Sequence, residues 1–105
     1  MFEGCSKLVS VSFPSNLIEI GNYAFYGCNG LSNIKLPNKL KQIGMYSFNK
    51  CSSLESIIIS GNITEIKKNA FKGCASINKV TLPKEKEELV SAFDGCGSNI
   101  DFDFY

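Results

Sequence analysis

The 105-residue sequence contains no histidine, and its 11 basic and 10 acidic residues leave a formal net charge of only +1. Without histidine the chain lacks the side chain that most often transfers protons near neutral pH, which argues against an enzyme. Surfaces that bind nucleic acid or anionic membranes normally carry a basic excess. We therefore expect no catalytic residue, no cofactor and no nucleic-acid partner.

Long apolar runs are also missing. No stretch approaches the roughly 18 apolar residues of a membrane span, so we expect no membrane insertion. Residues Met1–Lys7 have neither the basic start nor the apolar run of a secretory signal. The content of 44% hydrophobic and 20% charged residues lies in the ordinary globular range, and the length fits a single domain.

The sequence does contain regularly spaced cysteines. They recur at intervals of 23, 23, 23 and 22 residues, as Cys5, Cys28, Cys51, Cys74 and Cys96. Such even spacing is typical of structural repeats and not of a disulfide framework. A phenylalanine stands three residues before every cysteine, as Phe2, Phe25, Phe48, Phe71 and Phe93. The repeating unit is therefore about 23 residues long.

Two further apolar columns follow each cysteine, six and eight residues later. The first is Val11, Ile34, Ile57, Val80 and Phe102, and the second is Phe13, Leu36, Ile59, Leu82 and Phe104. Alternation with period two predicts a short strand with both columns facing inward. Proline cannot donate to a strand ladder, so Pro14, Pro37 and Pro83 end the predicted strands.

The residues after each predicted strand indicate how the chain returns to the start of the next unit. Leu17 and Ile20, with their equivalents in later copies, indicate a second extended segment on the opposite side. Gly21 and Gly44 then allow a turn, and we expect one tight helical turn in the Ala-Phe-x-Gly-Cys stretch. One unit cannot bury its own apolar columns, so the units must stack about 4.8 Å apart into a continuous core.

These columns carry a family resemblance. Leu31-x-x-Ile34-x-Leu36 matches the strand signature of leucine-rich repeats, and residues 20–28 and 36–54 resemble the BspA-type subclass. The resemblance implies a leucine-rich-repeat solenoid that is mainly β, with parallel strands stacked in a curved right-handed coil, short helical turns and no long helices. It also implies that residues 1–105 form a single array of four to five coils, partial at both ends.

The resemblance also sets an expectation for function. Proteins of the BspA type are typically surface or secreted proteins that mediate adhesion to host proteins or other microbes. The resemblance thus implies a non-enzymatic protein-binding module, part of a surface or secreted adhesin. A structural spacer without a ligand of its own is the alternative. The chain begins in mid-coil at Phe2–Cys5, which suggests a longer array or an end covered by a partner, and allows end-to-end self-association.

Outward strand positions form the predicted partner-binding face. Their side chains do not build the core and vary in chemistry between copies, as recognition surfaces of repeat arrays do. Ile58 is the one apolar residue among them. The set comprises Ser10, Ser12, Asn33, Lys35, Ser56, Ile58, Lys79, Thr81, Asp101 and Asp103. For Asp101 and Asp103, a charged strand that discourages edge pairing is favoured over a two-carboxylate metal site.

Other conspicuous residues have structural interpretations. The cysteines are predicted to be buried reduced thiols. Parallel side chains would give a disulfide a poor torsion, and a metal needs ligands that converge from several directions. The phenylalanines are predicted to be core, whereas Tyr23, Tyr26 and Tyr46 are better candidates for contacts. The charge run 84–88 is predicted to be a solvated loop near the C-terminal end of the array.

Overall fold

The computed structural model describes residues 7–96 and 99–105. Within them the chain alternates short strands with turns, and one 3-10 helix follows the seventh strand. In chain order the elements are β1 (Ser10–Ser12), β2 (Glu19–Ile20), β3 (Asn33–Lys35), β4 (Gln42–Ile43), β5 (Ser56–Ile58), β6 (Glu65–Ile66), β7 (Lys79–Leu82), the 3-10 helix (Lys84–Phe93) and β8 (Asp101–Phe104).

Every strand pair is parallel and joins equivalent positions of successive coils. On one side of the stack β1 pairs with β3, and β5, β7 and β8 form a three-stranded sheet. On the other side β2, β4 and β6 form a second sheet, in which Ile20, Ile43 and Ile66 are in register. The predicted return of the chain as a second extended segment is confirmed.

The first side is not one continuous sheet, because β3 and β5 belong to different hydrogen-bonded sheets. Side chains link the two coils on either side of this break. Ser53 Oγ donates to the Asn29 carbonyl at 2.6 Å, before the strands begin. Asn62 Nδ2 donates to the Asn38 carbonyl at 2.6 Å, after the strands end. The stack therefore stays joined where the ladder is interrupted.

The turn segments are not the single helical turn that the sequence suggested. Cys28 N donates to Phe25 O within its own turn at 3.1 Å, whereas Phe25 N donates to Ser47 O of the next coil at 2.7 Å. Tyr23 and Gly27 adopt left-handed backbone, with φ of 62° and 73°. A helix would use these amides internally. Here only some amides bond within the segment, and those of Phe25 and Gly27 donate to the next coil. The segment therefore forms successive turns and not a helix.

A turn begins at Gly44, as predicted, since Ser47 N donates to its carbonyl at 3.3 Å, but its φ is not positive and the glycine is needed for a different reason. It is buried, and a Cβ placed on it would lie 2.6 Å from Gly21 C and 2.7 Å from Asn22 N. A glycine is required here because the neighbouring coil's backbone approaches this closely. At Gly21 a Cβ would meet no described atom within 4 Å.

The phenylalanine column forms the centre of the core, as predicted. Phe48 is fully buried, and its ring stacks on Phe25 and on Phe71 with centroids 5.3 Å apart in both pairs. Phe104, which was predicted to face inward, is 41% exposed. It lies in β8, which is paired with β7 alone, so one neighbouring coil covers it instead of two.

The prediction that residues 84–88 form a solvated loop is wrong for the backbone conformation, because these residues begin the 3-10 helix. Pro83 precedes it with φ of −64°, and Glu85 and Glu87 lie in its first turn, where negative charge stabilises a helix. Phe93 is buried against the core. The helix contacts β6 and stands where the next strand of the second sheet would be expected.

Two other expectations concern membrane insertion and the start of the array. No helix among residues 7–96 and 99–105 is long and apolar enough to cross a membrane. The mid-coil start predicted at Phe2–Cys5 lies outside the described residues.

Candidate interaction face

We call the ten outward strand residues predicted to bind a partner the sheet face. The structure places all of them on the first side of the stack, where nine are exposed and Thr81 is half-buried. Their strands bring equivalent residues together in two blocks. In the first block Ser10 lies beside Asn33 and Ser12 beside Lys35. The second block, on β5, β7 and β8, holds Ser56, Lys79, Asp101, Ile58, Thr81 and Asp103.

The second block combines one apolar side chain with polar and charged ones. Ile58 is 66% exposed, the largest exposed fraction among the described large hydrophobic side chains. Its register partner is Thr81, which in turn lies beside Asp103. Lys79 lies between Ser56 and Asp101. The block therefore presents one apolar side chain with a cation and two carboxylates nearby.

A groove of about 430 Å³ continues the first block where β1 and β3 end. Ser12 and Lys35 of the sheet face line it together with residues of the two following loops, which are Phe13, Ser15, Leu36, Pro37, Asn38 and Lys39. Ser15, Asn38 and Lys39 are not among the residues that the sequence predicted for the site. The two prolines indicated where the loops start, but only their folded paths bring these side chains beside the strands.

The cysteines form a second ordered set, inside the stack. Cys28, Cys51, Cys74 and Cys96 are thiols, of which the first three are buried and Cys96 is half-buried. Each of the last three donates to the phenylalanine carbonyl of the preceding coil. The Sγ–O distances are 3.3 Å from Cys51 to Phe25, 3.0 Å from Cys74 to Phe48 and 3.0 Å from Cys96 to Phe71. The predicted burial is confirmed for Cys28, Cys51 and Cys74, and Cys5 lies outside the described residues.

Burial makes these thiols hard to ionise. It raises the pKa of Cys51 to about 12, with repulsion from Cys28 as a second cause. It also raises the pKa of Cys96 to about 11, and the pKa of Cys74 is raised for the same reason. A nucleophilic cysteine needs a lowered pKa, so these three side chains do not have the environment of a catalytic thiol.

We expect the thiols to resist alkylation in the native state. With a pKa near 11, only about 0.1% of Cys96 is thiolate at pH 8, and the fraction for Cys51 is smaller. Iodoacetamide labelling of a Cys5→Ser variant, followed by mass spectrometry, should modify Cys96 first and the others slowly. Denaturation in urea should expose all four. Fast labelling of Cys51 or Cys74 without urea would contradict their burial.

The same shifts predict a loss of stability in alkali. A thiol whose folded pKa lies above its ordinary value of 9.0 keeps its proton in the folded state after the unfolded state has lost it. The free energy of unfolding should therefore be unaffected below about pH 9 and fall as the pH rises towards 11 or 12. Urea denaturation at several pH values measures this directly.

The described residues contain no group of three or more histidine, cysteine, aspartate or glutamate side chains that could hold a metal. Asp101 and Asp103, the pair considered for a metal in the sequence, lie on one exposed strand with Phe102 between them.

Comparison with known proteins agrees with this architecture. The family model described as "BspA type Leucine rich repeat region (6 copies)" matches residues 1–100. The chain belongs to the BspA-type leucine-rich repeat family. The crystal structure of a T. pallidum leucine-rich repeat protein matches 97% of this chain with a TM-score of 0.84 and 31% sequence identity. No curated protein sequence matches the chain.

Membership of this family confirms the predicted fold, a leucine-rich-repeat solenoid built mainly from parallel strands. Leucine-rich repeat domains generally mediate protein–protein interactions or act as scaffolds, and they are typically non-enzymatic. BspA-type proteins are typically found at the cell surface or secreted. The chain spans 48% of the length of the T. pallidum protein.

Proposed function

We propose that this BspA-type array is a non-enzymatic protein-binding module that uses the sheet face, as part of a surface or secreted adhesin that contacts host or partner proteins. The observation that carries the proposal is the arrangement of the ten outward side chains. They lie in register on hydrogen-bonded parallel strands, and nine of the ten are exposed. Groups held in this way lose little conformational entropy when a partner binds.

The chemistry of the sheet face favours a protein partner. Ile58 supplies an exposed apolar contact, and Lys79 and Asp101 offer charges of both signs within one block. Protein interfaces commonly combine a buried apolar centre with a polar rim. The groove beside Ser12 and Lys35 could take a side chain from the same partner.

The alternative proposal is a structural spacer that holds another domain away from the surface and binds nothing itself. Coil-to-coil hydrogen bonds favour it, because they occur on several sides of the stack. Phe25 N to Ser47 O is one, and Gly44 N to Ile20 O is another. A spacer and a binding module need the same rigidity, so a binding measurement is required to separate them.

Charge reversal on the sheet face should weaken partner binding. We expect the double variant Lys35→Glu/Lys79→Glu to lose at least about tenfold in affinity, because it alters both blocks of the face. Immobilised plasma and extracellular-matrix proteins, measured by surface plasmon resonance, provide the partners. Lys41→Glu is the control, since Lys41 is exposed next to the second sheet.

The outcomes separate the two proposals. If binding is saturable but the double variant binds as the wild type does, with an unchanged circular dichroism spectrum, the sheet face is the wrong surface. If the wild type binds none of the proteins, the spacer is the better description.

We also propose end-to-end self-association. The first described coil has a largely apolar groove of about 490 Å³, whose lining includes Leu8, Val11, Phe13, Leu17, Ile20, Ala24 and Phe25. Apolar surface of this kind favours contact with another coil. Sedimentation equilibrium should show concentration-dependent oligomers that Leu17→Asn reduces. A monomer at all concentrations would contradict the proposal.

A further inference from the structure

The charge of this chain is balanced overall but is unevenly placed in the fold. The turn segments 21–30, 44–53 and 67–76 stack on one another, and we call the surface they form the turn face. It carries four of the chain's 11 basic residues, Lys50, Lys67, Lys68 and Lys72, and no acidic residue, although the exposed Asp94 of the next turn stands at the position equivalent to Lys72. Lys50, Lys68 and Lys72 are exposed. The turn face is therefore basic although the net charge of the whole chain is close to zero.

Three tyrosines lie on the same surface. Tyr23 is 44% exposed and stacks on Tyr46, with centroids 5.1 Å apart and an interplanar angle of 8°. Tyr26 lies 5.6 Å from Tyr23 in a tilted arrangement, and the Lys50 Nζ stands 5.9 Å from the centroid of the Tyr26 ring. The tyrosines and Lys50 thus form one contiguous cluster across two coils.

The backbone and a hydrogen bond hold this cluster in place. Tyr23 and Tyr46 have φ of 62° and 57°, a left-handed conformation that is unfavourable for a non-glycine residue. The equivalent residue of the next coil, Asn69, has φ of 61°, and its Nδ2 donates to the Tyr46 hydroxyl at 3.1 Å. The coil geometry imposes this conformation on all three residues, so the rings are oriented before any partner arrives.

We propose that the turn face is a second interaction surface and that it binds an acidic segment of a partner protein. The groups it offers favour anions. Lysine ammonium groups are cations, phenol hydroxyls can donate hydrogen bonds, and the edge of an aromatic ring carries the positive part of its quadrupole. The stacked geometry of Tyr23 and Tyr46 covers one face of each ring, and the Tyr46 hydroxyl, which accepts from Asn69, can still donate its own proton.

The same geometry leaves less aromatic surface for the bases of nucleic acid to stack on. Bases of single-stranded nucleic acid bind by stacking on open aromatic faces. Tyr23 and Tyr46 direct ring faces at each other, and Lys50 stands over the face of Tyr26. Carboxylates need no ring face, and an extended acidic peptide could place them along the stacked coils, which repeat about every 4.8 Å.

Fluorescence anisotropy of the full chain with a labelled peptide of alternating glutamate and serine tests the proposal. We expect Lys68→Gln/Lys72→Gln to weaken binding by about fivefold or more at low salt, since it removes two charges from the surface. Lys41→Gln/Lys84→Gln, at two exposed lysines outside both proposed surfaces, is the matched control, because it makes the same change in net charge. It should alter the affinity by less than about twofold.

A second variant tests the aromatic cluster. Tyr46→Asn places at this position the residue that already occupies the left-handed site as Asn69, so the fold should be kept. We expect it to weaken peptide binding by about threefold without changing the dependence of affinity on salt, because no charge is lost. Circular dichroism and thermal unfolding check each variant, and the lysine variants still test the surface if Tyr46→Asn unfolds.

Four results would overturn the proposal. One is the absence of peptide binding, and another is equal loss in the two lysine double variants, which would mean a response to net charge alone. Equal binding of a glutamine–serine peptide would show that carboxylates are not recognised. Tighter binding of a single-stranded oligonucleotide or of heparin would assign the surface to another class of partner. Because none of these variants alters the sheet face, the results do not depend on whether the sheet face binds its own partner.

Discussion

Replacing Gly44 with alanine is expected to lower the free energy of unfolding by about 3 kcal/mol, a large part of the stability of a small domain. The added methyl group would lie 2.6–2.8 Å from Gly21 C, Asn22 N and the Asn22 side-chain oxygen. Two of these atoms are backbone and cannot move without separating the coils. That separation would also strain the bonds from Gly44 N to Ile20 O and from Met45 N to Asn22 Oδ1, both 2.8 Å.

Urea denaturation followed by circular dichroism measures this effect. Gly21→Ala is the matched control, because the equivalent glycine of the preceding coil is exposed and its Cβ would meet no described atom within 4 Å. We expect the control to change stability by less than about 0.5 kcal/mol, or to stabilise slightly through the unfolded state. Equal effects of the two substitutions would show that close packing between coils is not the reason for Gly44.

Replacing Phe48 with alanine should cost about 3–5 kcal/mol, the range for truncating a fully buried phenylalanine. Its ring is 0% exposed and stacks on both neighbours in the column, Phe25 and Phe71. In a repeat array stability is close to a sum over neighbouring units, so one substitution in the middle weakens two interfaces. We expect loss of cooperative unfolding or a largely unfolded chain at room temperature.

Phe104→Ala is the control for this truncation. Phe104 is 41% exposed in β8, so removing its ring should cost less than about 1.5 kcal/mol. Thermal unfolding by circular dichroism compares both variants with the wild type. If Phe48→Ala unfolds cooperatively and within about 1 kcal/mol of the wild type, the stacked column is not the main source of stability.

The position of a residue within the repeat was a good predictor of its burial. It was a poor predictor of the backbone conformation of the connecting segments. The inward and outward positions of the strands follow from alternation, so the sheet face could be located before the structure. Residues 84–88 were predicted to be a loop because they are all charged. They begin a 3-10 helix since Pro83 fixes the entry of the chain and the later residue Phe93 is buried in the core.

The candidate surfaces differ in how far the sequence could reveal them. The sheet face is a property of single strands, and its members follow from counting. The turn face depends on which lysines and tyrosines of three separate segments come together, and the net charge of +1 conceals it. Tyr23, Tyr26 and Tyr46 could be named as contact candidates, but their mutual stacking and the place of Lys50 over Tyr26 required coordinates.

The sequence by itself determined the repeat length, the parallel stacking and the core columns, because a period of 23 residues leaves each apolar side chain one equivalent neighbour in the next coil. Only the tertiary structure decided where the ladder breaks between β3 and β5, why Gly44 must be a glycine and which charges share a surface. These features depend on distances between coils. A periodic pattern fixes which residues are equivalent, but not how closely their backbones approach.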